Sequence, residues 1–216
     1  MTTFIDLHAP SAVRCEGDRQ VARGAAGRIL HGQSAATAEL IAAAHAVRAR
    51  LGRDIGRVLS GGIIENAAHA NLVRAALTAA LPTPLLVHLR SRFEWYGCRG
   101  AAFHNDAHYA DVLFGAWCID GPARQIVFPR VATRINAAAG DWIVFDPFEP
   151  HAVLLPGRDR YQSDDYHAGD AASVFLAFEL DLAQPLREIF LIGSGAERSL
   201  LLASRVPIHA ETGAIG

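Results

Sequence analysis

Lysine is absent from this 216-residue chain: all 20 of its basic side chains are arginine. Schiff-base chemistry, pyridoxal chemistry and the usual phosphate-binding loop each need a lysine, so those classes drop out. Cysteine is nearly absent too. The three present, Cys15, Cys98 and Cys118, are odd in number and lack CxxC spacing. They suggest neither a disulfide framework nor a thiolate zinc site, and each reads as a buried free thiol. Net charge is also small, at −2. Such a surface offers no field for phosphate backbones or anionic membranes, so no nucleic acid and no membrane are expected as partners, and a small molecule is. No apolar run approaches the roughly 20 residues a bilayer helix requires. Met1 to Arg14 lacks a basic-then-apolar signal pattern, and cytoplasmic residence is the resulting expectation.

What is present is apolar: 51% of the residues are hydrophobic, enough for one sizeable core at this length and short for two. The chain therefore reads as a single domain, residues 1–216, in three parts. Residues 1–84 are Ala-rich and helical in pattern. One helix begins at an N-cap of Ser34 or Thr37 and carries Leu40, Ile41, Ala44, Val47 and Leu51; a second runs from about Ile63 to Ala80, with Pro82 and Pro84 beyond it. Residues 85–182 change to short apolar or alternating runs separated by Gly, Pro, Asn and Asp. Strands are expected near 85–92, 101–106, 112–119, 125–131, 133–136, 141–146, 150–155 and 173–182. In the last, Val174, Leu176, Phe178, Leu180 and Leu182 share one face, against Ser173, Ala177, Glu179 and Asp181. Residues 183–216 close the chain, with Leu186, Ile189 and Phe190 available to pack on the rest. Helices followed by about eight strands predict a mainly β fold: a double-stranded β-helix, or jelly-roll barrel, with the N-terminal helices on its outer face.

Within one of these strands the stretch F103-H104-N105-D106 sets two ligand-type side chains at alternate positions. Strand alternation points His104 and Asp106 to the same face, about 7 Å apart along the chain, which suits two ligands of one ion. Imidazole with carboxylate favours a divalent first-row metal over calcium or structural zinc. The stretch from Gly140 to His151 supplies a third ligand, His151, after a Pro-rich turn. Two histidines and one carboxylate form the facial triad of non-haem Fe(II) oxygenases, which leaves coordination positions open.

These residues resemble the Fe(II)/2-oxoglutarate-dependent dioxygenase family. Its HxD motif is matched by His104 and Asp106, its distal histidine by His151, and its strand before that histidine by A139-G140-D141-W142-I143-V144-F145-D146-P147; the resemblance covers roughly residues 85–182. It implies Fe(II) as cofactor, 2-oxoglutarate as cosubstrate, O2 as oxidant and hydroxylation of a small molecule such as an amino acid or other metabolite. Members that halogenate replace the acid with a small residue, so Asp106 implies hydroxylation or a related oxidation. The family usually anchors 2-oxoglutarate with an arginine at the start of the last barrel strand, where this chain has Ala171 and Ala172. Arg160, in R160-Y161-Q162-S163, is the first substitute, with Arg158, Arg130 and Arg134 as alternatives.

Other residues are assigned lesser roles. His108 extends the face of His104 and Asp106 and could touch substrate. Asp111, Asp120 and Asp146 sit at strand ends as turn formers. Trp95, Tyr96 and Trp117 read as packing residues. His88, Arg90 and Arg92 form a polar stripe hinting at an anionic or zwitterionic substrate. A cupin shares the barrel and the second motif, but its first motif is His-x-His followed by Glu. A non-catalytic binding module on the same barrel is the reading furthest from an enzyme.

Overall fold

The computed structural model describes residues 2–7, 27–51, 58–106, 109, 111–129, 132–167, 171–192 and 208–214. Eleven strands and four α-helices occur among them. The strands are β1 (Thr3–Leu7), β2 (Gly27–Gln33), β3 (Val58–Ile63), β4 (Leu89–Cys98), β5 (Ala101–His104), β6 (Val112–Asp120), β7 (Arg124–Phe128), β8 (Thr133–Ala137), β9 (Asp141–Phe145), β10 (His151–Leu154) and β11 (Ser173–Asp181). The helices are α1 (Ala38–Arg50), α2 (Ala67–Ala80), α3 (Thr83–Leu86) and α4 (Gln184–Ile189).

Seven strands form one antiparallel sheet in the order β1-β2-β9-β6-β11-β4-β3, and four form a second, β5-β10-β7-β8. Numbering β4 to β11 as one to eight, the core of the large sheet runs 6-3-8-1 and the small sheet 2-7-4-5. Consecutive strands thus alternate between the sheets, except that β7 and β8 are neighbours in the small one, which is the jelly-roll arrangement expected from the sequence.

Alternation along β11 decides which residues meet which layer. Val174, Leu176, Phe178 and Leu180 face away from the small sheet into an outer core with Leu40 and Val47 of α1 and Val73 and Leu77 of α2. Phe175 belongs to a second core between the sheets, with Cys118, Ile126, Phe145 and Val153. Both faces of β11 are therefore covered, and its first six residues are buried. Trp95 and Trp117 lie in the outer core as expected. So do Leu186 and Phe190, with Ile189 packed against them. The helix starts follow from capping: Thr37 Oγ1 accepts from the Leu40 N–H at 3.3 Å, and Asn66 Oδ1 from the His69 N–H at 3.0 Å.

The first 84 residues differ from the helical expectation. Besides α1 and α2 they contribute β1, β2 and β3, which extend both edges of the large sheet. Glycines hide β2 and β3 from a propensity reading. In β3 a Cβ on Gly61 would lie 2.6 Å from Val47 Cγ1 and 2.9 Å from Trp95 Cβ, so glycine lets this strand approach β4 and α1. Its neighbour Gly62 takes a φ of +103°, where the register with β4 shifts. The expected strand at 85–92 also moves. Pro84 starts the helical turn α3, and the strand begins only at Leu89.

Candidate metal centre

His104 ends β5 and His151 begins β10, and the two are direct cross-strand partners. Their rings stand 4.5 Å apart between centroids. Asp106 follows two residues after His104, and its N–H donates to the Pro147 carbonyl at 2.8 Å, which ties it to the turn leading into β10. That turn is built by Asp146: its carboxylate accepts from the Phe148 N–H at 3.1 Å and its carbonyl from the Glu149 N–H at 2.9 Å. The potential ligand atoms of His104, Asp106 and His151 all lie within 4.8 Å of one another.

Hydrogen bonding sets the imidazole tautomers. His104 Nδ1 is 2.7 Å from the Ala102 carbonyl and His151 Nδ1 is 2.9 Å from the Glu149 carbonyl. A carbonyl only accepts, so each Nδ1 carries the proton and each Nε2 lone pair is left to face Asp106. Those Nε2 atoms stand 3.8 Å (His104) and 3.6 Å (His151) from the Asp106 carboxylate oxygens. His151 is buried against Phe145, whose ring meets it edge-on at 4.9 Å. Burial, then the neighbouring His104 charge, pushes the His151 pKa down to about 4, so it is neutral near pH 7. Two imidazole nitrogens and one carboxylate oxygen converging from three backbone positions fit a divalent first-row cation.

The three residues open onto a cavity of about 270 Å³ between the sheets. Phe114, Phe145, Phe175, Ile126 and Val153 give it apolar walls. Polar character comes from the triad, Cys98 and two phenols, Tyr96 and Tyr109, whose oxygens are 3.4 Å apart. Burial first, then the Tyr109 contact, holds the Tyr96 hydroxyl well above its ordinary pKa, so it stays protonated. The Cys98 thiol is pushed up to about 12 by burial and stays protonated as well.

Three of the four arginines expected as anchors are described, and none of the three lines the cavity. No arginine is among the described residues lining the cavity. Arg134 pairs with Asp159 at 2.6 Å and Arg158 with Asp165 at 2.5 Å, both outside the barrel, and Arg160 is exposed. The reason is local: β10 ends at Leu154, and a turn through Pro156 and Gly157, the latter at φ +80°, carries residues 158–160 outward. Arg130 and His108 lie outside the described residues. Asp120 pairs with Arg48 and with His45 at the end of β6.

Two residues of interest escape a reading of the sequence. Tyr96, read as packing, lines the cavity because it shares a face of β4 with Cys98 while Phe93 and Trp95 take the other. Arg124 is 4% exposed and shares its parity on β7 with Ile126 and Phe128 of the inner core. Its Nη2 donates to the Ala171 carbonyl at 2.9 Å, and its charge acts on Cys98 at the cavity wall. The signal for both is strand parity, legible once the strand limits are fixed.

No protein-family model and no curated protein matches the chain. Among solved structures, a Pseudomonas putida prolyl-4-hydroxylase is similar at 17% identity, over 71% of this chain and 92% of that one, with a TM-score of 0.38. A likeness that loose assigns neither residues nor activity. No described helix is long and apolar enough to cross a membrane.

Proposed function

We propose that this chain is an Fe(II)- and 2-oxoglutarate-dependent oxygenase that hydroxylates a small molecule, with His104, Asp106 and His151 as the iron ligands. The observation that carries the reading is the convergence of two Nδ1-protonated imidazoles and one carboxylate at the edge of an apolar cavity. Iron bound there would supply O2 activation, with 2-oxoglutarate as the co-reductant. The chain's own residues perform the remaining tasks. The Ala102 and Glu149 carbonyls hold the imidazoles in the ligating tautomer. Phe114, Phe145 and Phe175 exclude water from the cavity. The Tyr96 and Tyr109 hydroxyls meet in the cavity wall and give it a polar edge.

For the distal carboxylate of 2-oxoglutarate the sequence favours Arg160, with Arg158, Arg130 and Arg134 behind it. The inward face of β7 adds Arg124 as a further candidate. A second reading, metal binding without 2-oxoglutarate as in a cupin or a non-catalytic module, is favoured by one observation: none of the described cavity-lining residues is arginine. The deciding experiment is aerobic conversion of 2-oxoglutarate to succinate by the Fe(II)-loaded protein, with Asp106→Ala as control. Succinate formed by the parent chain and not by the variant supports the oxygenase. Metal binding with neither succinate nor 2-oxoglutarate binding replaces it with the second reading.

A further inference from the structure

The inner face of the large sheet does not stop where the small sheet ends. On β4 the residues sharing a face with the cavity-lining Cys98 and Tyr96 continue as Glu94, Arg92 and Arg90. On β11 the sequel to Phe175 and Ala177 is Glu179 and Asp181. Beside the cavity these side chains form a ledge, and a shallow groove lined by Arg92, Glu94 and Glu179 shares Tyr96, Tyr109 and Ala177 with it.

The ledge carries two arginines and three carboxylates. Arg90 serves two of the acids, Asp181 at 2.5 Å and Glu179 at 3.2 Å. Irregular pairing between the strands produces this: Phe178 pairs with Phe93 but Leu180 with Leu89, so four steps of β4 oppose two of β11. Bulges of this kind re-aim side chains beside sites. Arg90 is thereby paired within the chain, which takes it out of the polar stripe of His88, Arg90 and Arg92 expected to meet an anionic or zwitterionic substrate. Arg92 and Glu94 are different. Their contact is the longest of the ledge at 3.5 Å, and the Arg92 side chain is 55% exposed. A contact that long, with its cation exposed to solvent, contributes little. Glu94 is much less exposed, and Ser60 Oγ fixes its other oxygen at 2.6 Å. One solvent-exposed cation thus sits beside one held anion, next to an apolar cavity.

We propose that this ledge binds the zwitterionic head group of an amino-acid-like substrate, carboxylate on Arg92 and ammonium on Glu94, with its apolar side chain entering the cavity toward His104, Asp106 and His151. The proposal rests on the oxygenase reading for its chemistry, but recognition is a separate property of the ledge. The entering zwitterion exchanges one weak internal pair for two. Guanidinium takes a carboxylate through two parallel hydrogen bonds, and Glu94 keeps a cationic partner. A ligand lacking either charge leaves Arg92 or Glu94 with nothing in exchange, so discrimination comes from both groups.

The test is calorimetric titration of the Zn(II)-loaded protein with L-norleucine, N-acetyl-norleucine and norleucine methyl ester, with and without 2-oxoglutarate. Norleucine should bind at least tenfold more tightly than either derivative. Glu94→Gln should abolish the preference over the N-acetyl compound, and Arg92→Met the preference over the ester. Circular dichroism and melting should match the parent, since both side chains reach solvent. Equal binding of the three ligands, no binding of norleucine, or preferences unchanged in the variants overturns the proposal. Succinate formation by the same preparation separates the two ideas. Its absence alongside selective norleucine binding removes the oxygenase and keeps the ledge; its presence without that selectivity does the reverse.

Discussion

Replacing Ala177 by phenylalanine should block the cavity while sparing the metal centre. Ala177 is 4% exposed on β11, lies between Phe175 and Glu179, and points into the 270 Å³ space. A cavity of roughly 150 Å³ is enough to take up benzene, so the new ring would consume about half of the volume. Overpacking a filled core commonly costs about 1–3 kcal/mol. Here the ring enters open space between apolar walls and gains burial, so the stability change should stay under about 1 kcal/mol in urea unfolding. 2-Oxoglutarate, displaced from the remaining volume, should lose at least a hundredfold in affinity, about 2.7 kcal/mol, by calorimetry. Ala177 is not among the three candidate ligands, so Co(II) affinity, read from its visible absorption, should stay within about threefold of the parent. Undiminished 2-oxoglutarate binding would place that ligand outside the cavity. A loss above about 2 kcal/mol in stability would show that the space is not open to a ring.

Three further outcomes follow from side chains already described. Arg124→Met and Arg160→Ala, titrated with 2-oxoglutarate and separately with metal, should part company: the variant lacking the true anchor loses more than about tenfold in 2-oxoglutarate affinity, a charge-assisted pair, and keeps its metal affinity. Equal behaviour of both variants and the parent would leave neither as anchor. Burial raises the Cys98 and Cys118 pKa values from 9.0 to about 12. In a Cys15→Ser background their alkylation should therefore stay slow from pH 7 to pH 10 in the native protein, and climb through pH 9 only in urea; rapid native reaction near pH 8.5 would contradict that burial. Asn66→Ala removes the acceptor for the His69 N–H and should lower stability by about 1 kcal/mol in chemical denaturation, with no effect on metal binding.

The parts of this molecule legible in its sequence are those where one physical rule acts alone. The 173–182 stretch alternates strictly because it is central and packs a different core on each face; its faces are those of β11, which ends one residue earlier at Asp181. His104, Asp106 and His151 could be picked out because metal chemistry restricts residue type, although β5 ends at His104 and Asp106 reaches the centre from the turn beyond the strand expected at 101–106. Strands β1 to β3 are obscured by hydrogen bonding to neighbours that sequence alone does not reveal, and β2 and β3 also by glycine. Tyr96 is hidden inside the run F93-E94-W95-Y96, where aromatic residues point in opposite directions and only strand parity tells them apart. Arg158 and Arg160 look close to the site because they follow His151 closely in the chain. The outward turn at Gly157 breaks that link.

Both histidines of the candidate centre take their orientation from carbonyls two residues earlier in the chain, not from a neighbouring carboxylate or amide side chain. Main-chain oxygens are present whatever residue occupies positions 102 and 149. The aim of the imidazoles is thus a property of strand shape, beyond the reach of ordinary side-chain substitution at those two places. A protein built this way can let the surroundings of its metal ligands vary freely in chemistry while their direction is inherited intact, provided β5 and β10 stay paired.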